Sequence, residues 1–309
     1  MTNISTRDAF GKTITELGRE NTAVAVLNAD LMSATKTGDF NKNFPDRCFN
    51  LGIAEADMVD FAAGLATTGF IPFACTFAVF AAGRAFDQIR QSVCYPHTNV
   101  KIVGTHGGIT VGEDGATHQA VEDIALMRAL PNMTVLVPAD AGETEKAVAA
   151  AAAYDGPVYL RLGRSPVPVC MPDTYEFKIG RAMRLRQGKD IAILATGIMV
   201  SMALQAAEKL EAEGKSVSVY DFHTIKPIDK DAIREAAQCG RILTAEEHSI
   251  VGGFGSSVDE VICQSNLPEP VKVYNMGIND TFGSTGSADV LLQAYGLTVD
   301  KMIAHALTL

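Results

Sequence analysis

VKIVGTHGGITVGEDGATHQAVEDIALMRALPNMTVLVPADAGETEKAVAAAAAYDGPVYLRLGR, residues 100–164, is the stretch on which the fold class turns. It opens with a short β-branched run, residues 100–106, that reads as a strand. A Gly-rich loop follows, GGITVGEDGATHQ. Residues 119–130 then carry a helical period that stops at Pro131-Asn132, a pair that cannot continue a helix. Residues 134–140 read as a second strand, 142–154 as an Ala-rich helix and 157–164 as a third strand. Strands and helices alternating at this spacing imply a mostly parallel sheet covered by helices on both faces.

The same alternation extends upstream. Residues 22–30 (TAVAVLNAD) and 71–76 read as strands, and 80–94 as a helix. Residues 54–68 place Met58, Phe61, Ala62 and Leu65 on one helical face. Downstream, Pro166, Pro168 and Pro172 interrupt the pattern, and no clear period returns until about Gly188. A second alternating set follows, with strands at 191–196, 217–222, 241–246 and 271–276. Its helices fall at 199–213, 229–239, 255–264 and 287–295, with a last one from 299. A chain of 309 residues is too long for one ordinary core. The expectation is therefore a doubly wound α/β domain over 1–165, a linker over 166–187 and a smaller α/β domain over 188–309.

Composition narrows the partners. The net charge is −10 and no Lys/Arg-rich run appears, which argues against nucleic acid or an anionic membrane. A ligand bearing phosphate would need local arginines to overcome that field. The amino-terminal residues lack the apolar core of a secretory signal, and no apolar run approaches the ~20 residues of a membrane span. Six cysteines are scattered without a C-x-x-C pair, which fits a reducing cytosol and offers no metal site.

In open α/β sheets, ligands bind outside the carboxyl ends of the strands. There this sequence puts Asp30, Glu55, Phe77, His106, Asp140 and Arg164, and the Gly-rich loop adds Glu113, Asp114 and His118. Each has a plainer reading. A carboxylate such as Glu55 in a first helical turn is favoured by the dipole for ~0.3–1 kcal/mol. Phe77 and Phe80, at i and i+3, suit a core. Arg7 and Arg164 taken singly suit a surface, and Asp114-Gly115 suits a turn. Spacing alone leaves these alternatives open.

Longer motifs are more specific. LGIAEADMVDFAAGLATTGFIPFACTFAVF (51–80) and THGGITVGEDGATHQAVEDIALMRALPNMTVLVPADAGET (105–144) resemble the pyrimidine-binding domain of transketolases. KPID (226–229) and EEHSIVGGFGSSV (246–258) are similar to that family's C-terminal domain. The resemblance implies a transferase that uses thiamine diphosphate to move a two-carbon ketol unit from a ketose phosphate to an aldose phosphate. It implies that Glu55 activates the cofactor at N1′ of its aminopyrimidine, with Phe77 and Phe80 packed on that ring. A third aromatic of the family pattern is Gly83 here. His106, Asp114 and His118 match residues that hydrogen-bond the sugar, and Arg7 and Arg164 match those that grip its phosphate.

The family's GDG…N motif, which binds Mg²⁺ and the diphosphate, has no counterpart in the sequence. The resemblance therefore implies that an N-terminal transketolase subunit holds both groups, in an α2β2 cytoplasmic enzyme of pentose-phosphate-type carbohydrate metabolism. Two departures bear on substrate. The family's THDSIG is THGGIT, and Ala34 stands at a phosphate-binding serine position. Gly252-Gly253-x-Gly255 reads as a helix entry rather than a nucleotide loop. Rival readings are a deoxyxylulose-phosphate-synthase-like enzyme, towards which RAFDQ (84–88) leans, a 2-oxo-acid dehydrogenase β subunit, and a non-catalytic regulatory paralogue.

Overall fold

Residues 3–172 and 174–309 are described by the computed structural model; residues 1 and 2 of the expected first domain and residue 173 of the expected linker lie outside them. The first half builds a seven-stranded sheet. Its order is Thr224–Lys226, Thr134–Leu136, Val158–Arg161, Lys101–Thr105, Ile71–Phe77, Val24–Asn28 and Cys48–Asn50. Every pairing is parallel except the first. Register fixes which residues leave the sheet together: Phe77 pairs with Thr105, and Gly104 with Arg161. The central strands are buried along their whole length, as strands covered on both faces must be.

The second half forms a five-stranded sheet, ordered Lys272–Ile278, Arg241–Ser249, Ile191–Ala195, Val217–Asp221 and Met183–Arg186. Only the last strand is antiparallel. It lies inside the segment expected as a linker, where Val167–Pro168 also pairs with Asn3–Ile4. The single helix expected over 80–94 is divided. An α-helix covers Ala78–Arg84, a short turn Phe86–Gln88, and a π-helical stretch Ile89–Cys94. A 15-residue helix, Thr6–Glu20, precedes the first strand. Ser5 caps it by accepting the Asp8 amide, one of the four donors a helix start leaves unpaired.

The two halves are interlocked. Thr224–Lys226 leaves the second sheet to add an antiparallel edge to the first, Thr224 opposite Leu136. Beside it lies a buried polar seam. Asp140 caps the helix Ala141–Ala153 and also accepts the Cys170 and Met171 amides at 2.7 and 2.8 Å. Glu143 accepts the Tyr175 hydroxyl at 2.5 Å and the Ala139 amide at 2.7 Å. Burial, reinforced by Glu143, pushes the Asp221 carboxyl far above its ordinary value, and burial pushes Glu143 up as well. Desolvation disfavours the charged form of each carboxyl, and the charge of either one would raise the other further. The six cysteines are unpaired, and no described helix is long and apolar enough to cross a membrane.

Candidate active site

The carboxyl edge of the first sheet gathers most of the residues singled out in the sequence. Glu55 opens the helix Glu55–Ala66 and is only 4% exposed. Its Oε1 accepts from Arg84 Nη1 at 3.1 Å rather than from the amides of its own helix. Arg84 also lies over the Phe80 ring, 4.1 Å from its centroid. Phe80 stacks on Phe77 at 5.6 Å with an interplanar angle of 11°, and Phe77 stacks on His106 at 3.8 Å. His118 meets both phenyl rings edge-on. A carboxylate, two aromatic rings and two imidazoles thus form one continuous wall.

His106 sits just past the strand Lys101–Thr105 with a left-handed backbone, φ 59°. Such a conformation is uncommon for a side-chain-bearing residue and persists only where packing enforces it. Arg7 Nη1 donates to His106 Nε2 at 3.0 Å, so Nδ1 carries the proton and donates to Thr105 Oγ1 at 2.9 Å. Burial, followed by the charges of Arg7 and Arg164, lowers His106 to about 3. The imidazole is therefore neutral throughout the physiological range.

Two cations flank it. Arg7 is held by the Ala34 carbonyl at 3.2 Å, while among the described residues its buried Nε has no partner. A buried charged donor left open in this way suits an anionic ligand. Arg164 bonds the Val111 carbonyl and, at 3.0 Å, Glu113 Oε2. Lys36, with φ 63°, lies close enough to act on His106 and pairs with Asp8 at 3.1 Å. Three positive side chains thus meet locally on a chain of net charge −10.

Asp114 and Glu113 are exposed on the turn Ile109–Asp114, and His118 is half-buried with Nδ1 near Thr117 Oγ1. Asp114 acts on Arg7 only through space. Among the described residues, no group of three or more His, Cys, Asp or Glu is placed to hold a metal ion. Gly252-Gly253-x-Gly255 leads into the helix Phe254–Gln264, where Glu246 accepts the Phe254 and Gly255 amides, each at 2.7 Å. The chain's own carboxylate fills the place a phosphate would take.

Sequence reasoning did not assign Arg84, Lys36, Arg161 or Glu247 to the site. Arg84 stood in RAFDQ and Glu247 in EEHSIV, so both motifs were visible while their contacts were not.

The chain matches two family models, "Transketolase, pyrimidine binding domain" over residues 2–169 and "Transketolase, C-terminal domain" over 180–302. It is 48% identical to a "Putative transketolase C-terminal section" of Methanocaldococcus jannaschii, over 94% of this chain and 92% of that one. It is 41% identical to the "6-deoxy-6-sulfo-D-fructose transketolase subunit SqwH" of Clostridium sp. strain MSTE9, over 98% and 94%. A solved structure described as "Split gene transketolase, inactive beta4 tetramer" superposes with a TM-score of 0.91 at 52% identity, covering 99% of both chains. With both domains matched and about half its residues shared with such relatives, the chain belongs to the transketolase family.

Proposed function

We propose that this chain is the catalytic C-terminal subunit of a split transketolase that transfers a two-carbon ketol unit from a ketose phosphate to an aldose phosphate. The family depends on thiamine diphosphate. The observation that carries the reading is the wall itself: buried Glu55, stacked Phe77 and Phe80, and neutral His106 between Arg7 and Arg164. These residues fit the pyrimidine end of the cofactor and a phosphorylated sugar, and the open Arg7 Nε supports an anionic ligand. When bound, the cofactor supplies the nucleophilic carbon and electron sink that side chains lack.

The rest is the work of this chain. Glu55 holds N1′ of the pyrimidine, while Phe77 and Phe80 cover the ring and exclude water. His106 stays uncharged beside the reacting oxygen, where an imidazolium would repel the arginines. Asp114 and His118 bond sugar hydroxyls, and Arg7 and Arg164 hold the phosphate with charge-assisted bonds. Diphosphate and Mg²⁺ are assigned to an N-terminal partner subunit on the likeness to relatives described as a C-terminal section, a transketolase subunit and a split-gene transketolase. The assembly is then α2β2 and cytoplasmic, with each site between chains and closed two-fold symmetry.

Co-expression with an N-terminal transketolase subunit tests this. The complex is expected to transfer two-carbon units from ketose phosphates and to scatter light as a heterotetramer, while the isolated chain is inactive with thiamine diphosphate and Mg²⁺. Robust turnover by the chain alone, or full activity in a one-to-one heterodimer, would overturn the arrangement. Use of pyruvate in place of a ketose donor would move the reading to a deoxyxylulose-phosphate-synthase-like enzyme.

Arg164→Ala separates two roles. Loss of a charged phosphate contact is expected to cost ~1.5–3 kcal/mol, read as a rise of about 10- to 150-fold in KM for phosphorylated acceptors. Arg164 also ties down Val111 and Glu113. If unphosphorylated acceptors lose as much, Arg164 serves the loop and not the phosphate.

A further inference from the structure

Gly107 and Gly108 stand where the family pattern has polar side chains, and other residues occupy the room those side chains would need. A Cβ on Gly107 would lie 2.8 Å from the Arg161 guanidinium carbon. On Gly108, with φ +83°, it would lie 2.2 Å from the Glu247 carboxyl carbon. Glu247 comes from the strand Arg241–Ser249 of the second sheet and is buried. Its Oε1 accepts the Thr110 amide at 2.6 Å; burial pushes the carboxyl up to about 7, while Arg161 and the neighbouring Thr110 and Ile109 amides favour its charged form. These are the first amides of the turn Ile109–Asp114, which the turn itself leaves without acceptors.

Arg161 fastens the same residue from the other side. Its Nη2 donates to the Glu247 carbonyl at 3.0 Å and to the Ala120 carbonyl at 3.2 Å, just past the end of the loop. Gln119 Nε2 adds a bond to the Ser284 carbonyl at 2.8 Å. The loop bearing Asp114 and His118 is therefore moulded on the second domain.

We propose that Glu247 is a positioning residue: its carboxylate, supplied by the second domain, holds the substrate loop in place of polar side chains at 107 and 108. The consequence for substrate rests on the transketolase reading; the hold on the loop does not. Glu247→Gln keeps the shape but faces one of the two amide donors with an NH₂ group.

In the full chain without partner or cofactor, at a pH above about 8 where a carboxyl pushed up to about 7 is ionised, deuterium uptake over residues 108–115 is expected to speed at least about tenfold in Glu247→Gln, as a lost charge-assisted bond requires. Uptake over Ile191–Ala195 should stay unchanged. Unaltered uptake at 108–115, or equal acceleration in both segments, would overturn the proposal. Should Glu247→Gln not fold, Glu247→Asp withdraws the charge by one methylene and is read by the same uptake.

In the reconstituted complex, the variant is expected to raise ketose KM about tenfold while the Kd for thiamine diphosphate holds. Equal weakening of both would overturn a positioning role. If uptake changes but neither parent nor variant transfers two-carbon units, the functional reading fails and the hold on the loop stands.

Discussion

Glu55→Gln is expected to slow exchange of the C2 proton of bound thiamine diphosphate by about 10²–10⁴-fold, the range that positioned acid–base groups contribute. Glutamine has the same size and retains one acceptor, so the buried pocket keeps its shape. It cannot hold or release the proton that N1′ needs. Among the described residues the ion pair lost is with Arg84, whose side chain is 53% exposed, so water can solvate the guanidinium once its partner is gone. Folding and assembly should therefore be nearly unaffected while exchange collapses.

The plainer reading of Glu55 makes the opposite forecast. A carboxylate that only favours a helix start contributes ~0.3–1 kcal/mol, so its loss would lower the melting temperature slightly and leave exchange unchanged. Glu55 bonds Arg84 and not the amides of its helix, but a first-turn carboxylate gains from the dipole either way. An unchanged C2 exchange rate in the reconstituted complex would decide for the plainer reading.

Asp123→Ala is expected to destabilise the chain by about 3–5 kcal/mol, the cost of leaving one member of a buried pair unbalanced. Asp123 Oδ2 accepts Arg161 Nε at 2.8 Å and the Tyr159 hydroxyl at 2.7 Å. The two side chains of the ion pair are 6% and 1% exposed. Removing the carboxylate strands a guanidinium that water cannot reach, and it frees the Tyr159 hydroxyl. The melting temperature should fall on the order of 10 °C. Asp123→Asn keeps an acceptor for one donor and should lose distinctly less. A denaturation midpoint for Asp123→Ala that indicates a loss below about 1 kcal/mol would mean that Glu247 and the carbonyls around Arg161 suffice to hold the charge.

For several elements whose side chains repeat at the period of the backbone, the reading from sequence and the structure agree closely. Residues 142–154 read as a helix, and the helix is Ala141–Ala153. Residues 100–106 read as a strand, and the strand is Lys101–Thr105. The helix Thr6–Glu20 escaped notice because its buried face is built largely from small residues. Phe10, Ile14 and the partly buried Leu17 are its large apolar residues, set among Ala9, Gly11, Thr15 and Gly18. Apolar periodicity is a signal only when the buried side chains are themselves apolar and large.

Local chemistry along the chain was enough to determine the α/β alternation, the edge of the sheet where polar residues collect, and the motifs that tie the chain to its family. Those features depend on neighbours a few residues apart, whose spacing the backbone geometry dictates. Only the tertiary structure decided that Arg84 meets Glu55 across 29 positions, that Arg161 reaches Glu247 across 86, and that Glu247 holds Thr110 across 137. It also decided that Thr224–Lys226 completes the other half's sheet. Such contacts carry no periodic trace. They arise where buried donors, acceptors and charges, brought together by packing of the two cores, must find partners in each other because water is excluded.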